Sequence, residues 1–239
     1  WPVDYHLIGK DILTTHAVYW PTMLMSAELP LPKGIFAHGW WLSGESKMSK
    51  SVGNVVDPLG LIKEYGVDPV RYYLMREMVL GNDASFTLES FIKRYNSDLA
   101  NDFGNLLSRV TNLLTKFFDS KTPKLEDDSE EGNSIKNNGN ALIKNVPTKI
   151  EEMKVNEAIE IILQFIRSVN KYLEVMAPWK LVKSDKDSAG KVLFTAAEAL
   201  RVTSILLSPV MPNRTSIVLK TFCAENTVLR WGELTPNKK

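Results

Sequence analysis

Residues 87–118 read TLESFIKRYNSDLANDFGNLLSRVTNLLTKFF, and within them Leu99, Phe103, Leu106, Val110, Leu113 and Phe117 recur at alternating spacings of four and three. That period matches the turn of an α-helix and places all six on one stripe. The predicted helix is the joint of the molecule, because the sequence on its two sides is of different kinds. Residues 1–86 mix short apolar runs with Gly and Pro, the punctuation of strands, turns and short helices. Beyond the joint, Ile159, Ile162, Ile166, Val169, Leu173 and Met176 form a second helical stripe, and Leu193, Ala197, Leu200, Ser204 and Leu207 a third. With a shorter helix near 213–222, these predict a bundle of four antiparallel helices. The expected fold class is α/β plus all-α, divided into 1–86 and 87–239. Residues 119–140, acidic and then rich in Asn and Gly, predict a mobile linker inside the second part.

In the first part, Tyr5 to Ile8 predicts a short strand, and Asp11 opens a helix to about Ala27 that Pro21 is expected to kink. Ile35 to Ala37 predicts a second strand, ending at His38 and Gly39. Ligands of open α/β sheets collect where strands end at their carboxyl side, so Gly9 and Gly39 both mark that edge. The pairs Asp57-Pro58 and Asp68-Pro69 read as helix starts, because Asp caps a helix and Pro suits its first turn. Helices over 58–65 and 69–80 follow.

Composition narrows the function classes. Among the 239 residues, 29 Lys plus Arg nearly cancel 28 Asp plus Glu, so any contact with nucleic acid must be local. The one cysteine, Cys223, excludes an internal disulfide and a multi-cysteine zinc site, and fits a reducing compartment. The apolar run from Ala17 to Met25 is far shorter than the roughly 20 residues that span a bilayer, so no membrane partner is expected. The chain starts at Trp1 without a signal-peptide pattern, and is expected to be part of a longer, cytoplasmic protein.

The sharpest local feature is the loop Gly44-Glu45-Ser46-Lys47-Met48-Ser49-Lys50-Ser51-Val52-Gly53-Asn54. Small, polar residues around two lysines allow two ammonium groups to close on one polyanion. On residue types alone, a solvated surface loop competes with this reading. His16 and Trp20 lie one helical turn apart, and so do Asn105 and Arg109. Each pair is able to face one ligand together, or to be ordinary core or solvent-facing positions. Trp179 follows Pro178 at a helix end, where it either stacks on an unpaired base or packs locally.

Lys47-Met48-Ser49-Lys50-Ser51 is the KMSKS signature of class I aminoacyl-tRNA synthetases. Its context narrows the resemblance. Tyr5-His6-Leu7-Ile8-Gly9-Lys10-Asp11-Ile12, Trp20-Pro21, Ala37-His38-Gly39-Trp40, Gly66-Val67-Asp68-Pro69-Val70-Arg71-Tyr72-Tyr73-Leu74 and Ala177-Pro178-Trp179 occur in the order found in methionyl-tRNA synthetases. The chain resembles the C-terminal half of that family's catalytic domain, a partial Rossmann-type nucleotide-binding domain, followed by its helical anticodon-binding domain. The family's HIGH tetrapeptide belongs to an N-terminal half that is absent here, as is the insert that binds zinc in many relatives.

The resemblance implies a role for each matching position. Lys47 and Lys50 bind the ATP phosphates and stabilise charge as pyrophosphate leaves. Gly9 and Asp11 approach the ribose, with a helix N-cap as the rival role for Asp11, and His38 and Gly39 lie near the adenine. His16 and Trp20 border the methionine side chain, and Asn105, Arg109 and Trp179 read the CAU anticodon of tRNA(Met). ATP with Mg2+ is the implied cosubstrate, no zinc is expected in this chain, and the missing N-terminal half is an implied partner. The implied activity is that of a methionine-tRNA ligase, the chain alone being inactive. Competing readings are an anticodon-binding module without catalysis, a leucyl, valyl or cysteinyl sibling, and a helical scaffold carrying the motif by accident.

Overall fold

The computed structural model describes residues 1–49, 51, 53–222, 224 and 229–233. Lys50 and Cys223 lie outside the described residues. Strand β1 (Tyr5–Gly9) pairs in parallel with β2 (Gly34–His38), Tyr5 opposite Gly34 and Gly9 opposite His38. The crossover is helical: a 3-10 turn at Lys10–Ile12, a π-helical stretch at Thr15–Tyr19, then α1 (Trp20–Ser26). The π stretch takes up the strain expected as a kink at Pro21, because proline cannot donate and its ring crowds the preceding turn. Trp20 N accordingly donates to Thr15 O, five residues back.

A second small sheet holds β3 (Trp41–Ser43) between β4 (Ser46–Lys47), antiparallel to it, and β5 (Ala84–Phe86), parallel to it. These three strands escaped the sequence reading because runs of two or three residues carry no measurable period. Helix α2 (Pro58–Tyr65) starts as expected, with Asp57 accepting from Leu59 N at 3.0 Å.

Asp68 behaves differently from the expected cap. Helix α3 (Val67–Glu77) begins before it, with Gly66 at the N-cap and a φ of 89° there. The Asp68 carboxylate is buried and accepts instead from Arg214 N at 2.6 Å and Asn213 Nδ2 at 3.2 Å. It thereby caps α10 (Pro212–Thr221), whose own N-cap position, Met211, offers no side-chain acceptor. Arg71 adds bonds to Val210 O at 3.0 Å and Pro209 O at 2.7 Å. One turn of α3 thus fastens the first part of the chain to the far end of the second.

The joint helix is continuous: α4 (Leu88–Arg94), a π-helical stretch at Tyr95–Gly104, and α5 (Asn105–Phe117). Thr87 and Ser90 close a capping box at its start. Phe103, Leu106 and Val110 are buried as predicted, Leu99 and Leu113 pack half-buried against the same cluster, and Leu114, outside the predicted stripe, is buried with them.

The remaining helices are α6 (Glu130–Glu151), α7 (Val155–Met176), α8 (Pro178–Leu181) and α9 (Lys186–Leu207). While 119–129 form neither helix nor strand, helix α6 corrects the second half of the expected linker, 130–140, and makes the expected four-helix bundle larger by one. Ser129 caps it by accepting from Gly132 N at 3.0 Å, and Ile135, Leu142 and Val146 are buried along one side. The Asn that suggested disorder occupy its exposed face, and the two Gly make close contacts: a Cβ on Gly132 would overlap the Asp127 carboxylate, and one on Gly139 the Trp231 ring.

Two apolar clusters result. The larger joins α5, α6, α7, α9 and α10 and includes Tyr72, while the smaller gathers Val70, Tyr73, Phe86 and Phe91 with Trp41 and Met48 at its edge. Helix α3 is the wedge between them, with Tyr72 turned to one and Tyr73 to the other. Among the described residues, no helix is long and apolar enough to cross a membrane.

Candidate functional site

The carboxyl ends of β1 and β2 bring Gly9, Asp11 and His38 together. A Cβ on Gly9 would come within 2.5 Å of Asp11 Oδ1 and 3.8 Å of His38 Cε1, so glycine leaves room for the folded-back carboxylate. Asp11 is not an N-cap: Gly9 holds that position, and no side chain caps this turn. Its exposed carboxylate is free to accept from a hydroxyl. His38 Nδ1 donates to Gly39 O at 2.8 Å. Gly39 has a packing reason of its own, since a Cβ there would collide with the Asn82 and Asp83 backbone.

The signature loop leaves this edge through a tight hairpin. Gly44, at a φ of 62°, turns β3 into β4, and the hairpin register sets Leu42 against Lys47. Met48 then packs, half-buried, against the smaller apolar cluster. The Asn54 side chain draws the loop closed, accepting from Ser49 N at 2.8 Å and donating to Lys47 O at 3.2 Å. Anchored by Met48 and Asn54, Lys47 keeps an exposed ammonium group, 4.1 Å from the centroid of a Trp40 ring. Lys10 lies 4.3 Å from a Trp40 ring centroid and pairs with Asp83 at 2.6 Å. Asp83 also accepts from Trp40 N at 2.8 Å, and the Lys10 hydrogen bond, followed by that N–H, holds its carboxyl below the usual range. Lys10, Trp40 and Asp83 join Lys47 to the strand ends, and the sequence reading assigned roles to none of the three. Asp83 sits far along the chain and is brought in only by β5.

His16 and Trp20 sit in an aromatic group whose other members, Trp1 and His6, were given no role in the sequence reading. Ring centroids are 5.7 Å apart for His6–His16 and for Trp1–Trp20. His16 Nδ1 donates to Ile12 O at 3.0 Å, which fixes its tautomer. Trp20 Nε1 and His6 Nε2 are buried without a hydrogen-bond partner among the described residues.

A second constellation lies on the helical part. Helix α7 ends at Ala177 in the left-handed conformation, and Pro178 opens α8, which swings Trp179 out of the buried stripe. The Arg109 guanidinium lies over the half-buried Trp179 ring, 5.3 Å from its centroid. Arg109 also reaches Asn170 Oδ1 at 3.4 Å and Glu174 at 3.6 Å, and Asn170 Nδ2 donates to Asp102 O at 3.0 Å. Asn105, exposed, stands one turn before Arg109 on α5. The three expected positions therefore share one face, with Asn170 as an unexpected support. A guanidinium set over an indole beside an open amide suits an unpaired base.

A family model described as "tRNA synthetases class I (M)" matches residues 3–111, and one described as "Anticodon binding domain of methionyl tRNA ligase" matches 122–237. The chain belongs to the methionyl-tRNA synthetase family. The methionine–tRNA ligase of Clostridium acetobutylicum is 46% identical over 214 residues, covering 89% of this chain and 33% of that protein. That of Rickettsia felis is 43% identical over 223 residues, 92% of this chain and 43% of that protein. A crystal structure of Mycobacterium tuberculosis methionyl-tRNA synthetase bound by methionyl-adenylate superposes with a TM-score of 0.89 at 36% identity, over all of this chain and 50% of that one. The chain thus spans about a third to a half of these relatives. Its fold is that of a class I synthetase fragment with the helical anticodon-binding domain of the family.

Proposed function

We propose that this chain supplies the KMSKS half of the activation site and the anticodon-reading domain of a cytoplasmic methionine-tRNA ligase. In the proposed reaction the methionine carboxylate attacks the α-phosphate of ATP, which enters with Mg2+. Pyrophosphate leaves, and the tRNA(Met) terminal ribose then takes the methionyl group from the adenylate. Residues 1–86 serve activation and 87–239 serve tRNA, with the joint helix shared, since its Phe91 packs in the smaller cluster and its Phe103 in the larger.

The observation that carries this reading is the exposed Lys47 ammonium, anchored beside the Gly9, Asp11 and His38 edge. There it meets the phosphates of a nucleotide whose ribose is held by Asp11 and whose base lies near His38 and Gly39. Lys50 belongs to the same proposal by its place in the signature. Charge stabilisation by positioned cations, rather than a covalent nucleophile, accounts for the catalysis. His16 and Trp20 take the methionine side chain, where a polarizable thioether meets aromatic rings.

A second reading, an RNA-binding module without catalysis, is favoured by the partial sheet, β1 and β2 alone at the nucleotide edge. Methionine-dependent ATP–pyrophosphate exchange decides between them. The chain alone is expected to show none, and the chain supplied with the N-terminal half of the catalytic fold is expected to exchange. No exchange after complementation favours the second reading, and robust exchange by the chain alone contradicts the division of labour.

A further inference from the structure

We infer that Trp40 is a positioning residue for the signature loop: its indole face holds the Lys47 ammonium over the strand ends until a polyanion takes it. The inference rests on the activation role proposed above. Cations are attracted to the negative face of an indole within about 6 Å of its centroid, and Lys47 Nζ lies at 4.1 Å. Two features make Trp40 a fitting dock. First, the residue is fixed on the strand side: Trp40 N donates to Asp83 at 2.8 Å, Trp40 O accepts from Ala84 N at 2.9 Å, and the chain continues directly into β3. Second, its other cation is already neutralised, because Lys10 pairs with Asp83 at 2.6 Å. Without that pair, two ammonium groups on one indole would repel each other, so Asp83 leaves the ring available to Lys47.

The contact also explains how an exposed lysine keeps one place. A lysine side chain loses up to about 2 kcal/mol of rotamer freedom when fixed, and neither the β4 pairing nor the Asn54 clamp touches the Lys47 side chain. The ring is the one contact recorded for that ammonium among the described residues. A dock of this strength orders the lysine yet yields to phosphate, whose full negative charge outbids a ring quadrupole.

The test uses the chain assembled with the N-terminal half of the catalytic fold and carrying isotope-labelled methyl groups on its lysines, with Lys47→Arg to assign the signal. Ring-current shielding of the Lys47 methyls is expected in the wild type and in Trp40→Phe, and is expected to vanish in Trp40→Leu and on adding tripolyphosphate. In the exchange assay Trp40→Leu is expected to lower the KM for ATP roughly two- to fivefold, because it removes one exposed cation–ring contact that only the nucleotide-free enzyme makes. The turnover number kcat and the methionine KM should stay unchanged, and Trp40→Phe should restore the KM for ATP. An unshielded Lys47 in the wild type, or the same KM for ATP in Trp40→Leu, overturns the inference. Shielding that responds to tripolyphosphate in an assembly with no exchange upholds the dock and rejects the activation reading instead.

Discussion

Residue chemistry in this chain is legible where a side chain acts near its own sequence neighbours, and obscure where the fold supplies the partner. Asp57 is an N-cap in sequence and in structure, because its acceptor target lies two residues on. Asp68, with the same Asp-Pro signature, is captured by the start of α10, 146 residues away. Lys47 belongs to the first class, and replacing it with alanine is expected to lower pyrophosphate exchange about 100- to 1000-fold, the cost of one preorganised transition-state contact. Circular dichroism should be unchanged, and a loss below about threefold would return the loop to the solvated-surface reading. Asp83 belongs to the second class and gives a pH prediction. Its folded-state pKa is depressed by Lys10 and by Trp40 N–H, so its stabilising contribution is complete above the unfolded-state value and is lost as pH falls through the lowered one. Trp40 indole fluorescence should therefore hold steady from about pH 8 to pH 5 and change only in stronger acid. A transition near neutrality would contradict the assignment.

At the scale of elements, periodic apolar stripes identified the joint helix, α7, α9 and α10, while composition misread α6. Ile135, Leu142 and Val146 recur at spacings of seven and four, a true helical pattern, but each is separated by Asn, Lys and Gly that dominate any local average. Those residues face outward, or, at Gly139, make room for the Trp231 ring. If α6 is structural, Leu142→Ala should destabilise the protein by about 2–5 kcal/mol in denaturant unfolding, as expected for a buried leucine. Amide exchange across residues 135–146 should be slow. Neither effect is expected of a mobile linker, so an unchanged unfolding midpoint would reinstate that reading. The short strands β3, β4 and β5 were invisible for the opposite reason: their order comes from pairing with each other, not from their own sequence.

In the whole molecule one continuous helix carries both apolar clusters, through Phe91 and Phe103, and the chain is tied again where α3 meets the corner between α9 and α10. Asp68 and Arg71 make that tie through four hydrogen bonds. Asp68→Ala should lower stability by about 1–3 kcal/mol, because Arg214 N and Asn213 lose a buried acceptor. A single unfolding transition is expected in the wild type, since Tyr72 of α3 packs into the larger cluster. The order of motifs along the chain told which family the halves resemble, but only the folded chain shows the Arg109 guanidinium set over the Trp179 ring and bonded to Asn170.

That face carries the central claim, which the chain tests by itself: titration with an anticodon stem-loop bearing CAU, and with altered anticodons, at one stated salt concentration. The wild type should prefer CAU. Trp179→Ala should bind CAU more weakly by about 1–3 kcal/mol, the worth of one base stacked on an aromatic ring, with its circular dichroism unchanged. Equal affinity of the wild type for every anticodon, or equal CAU affinity of the wild type and Trp179→Ala, would contradict the account.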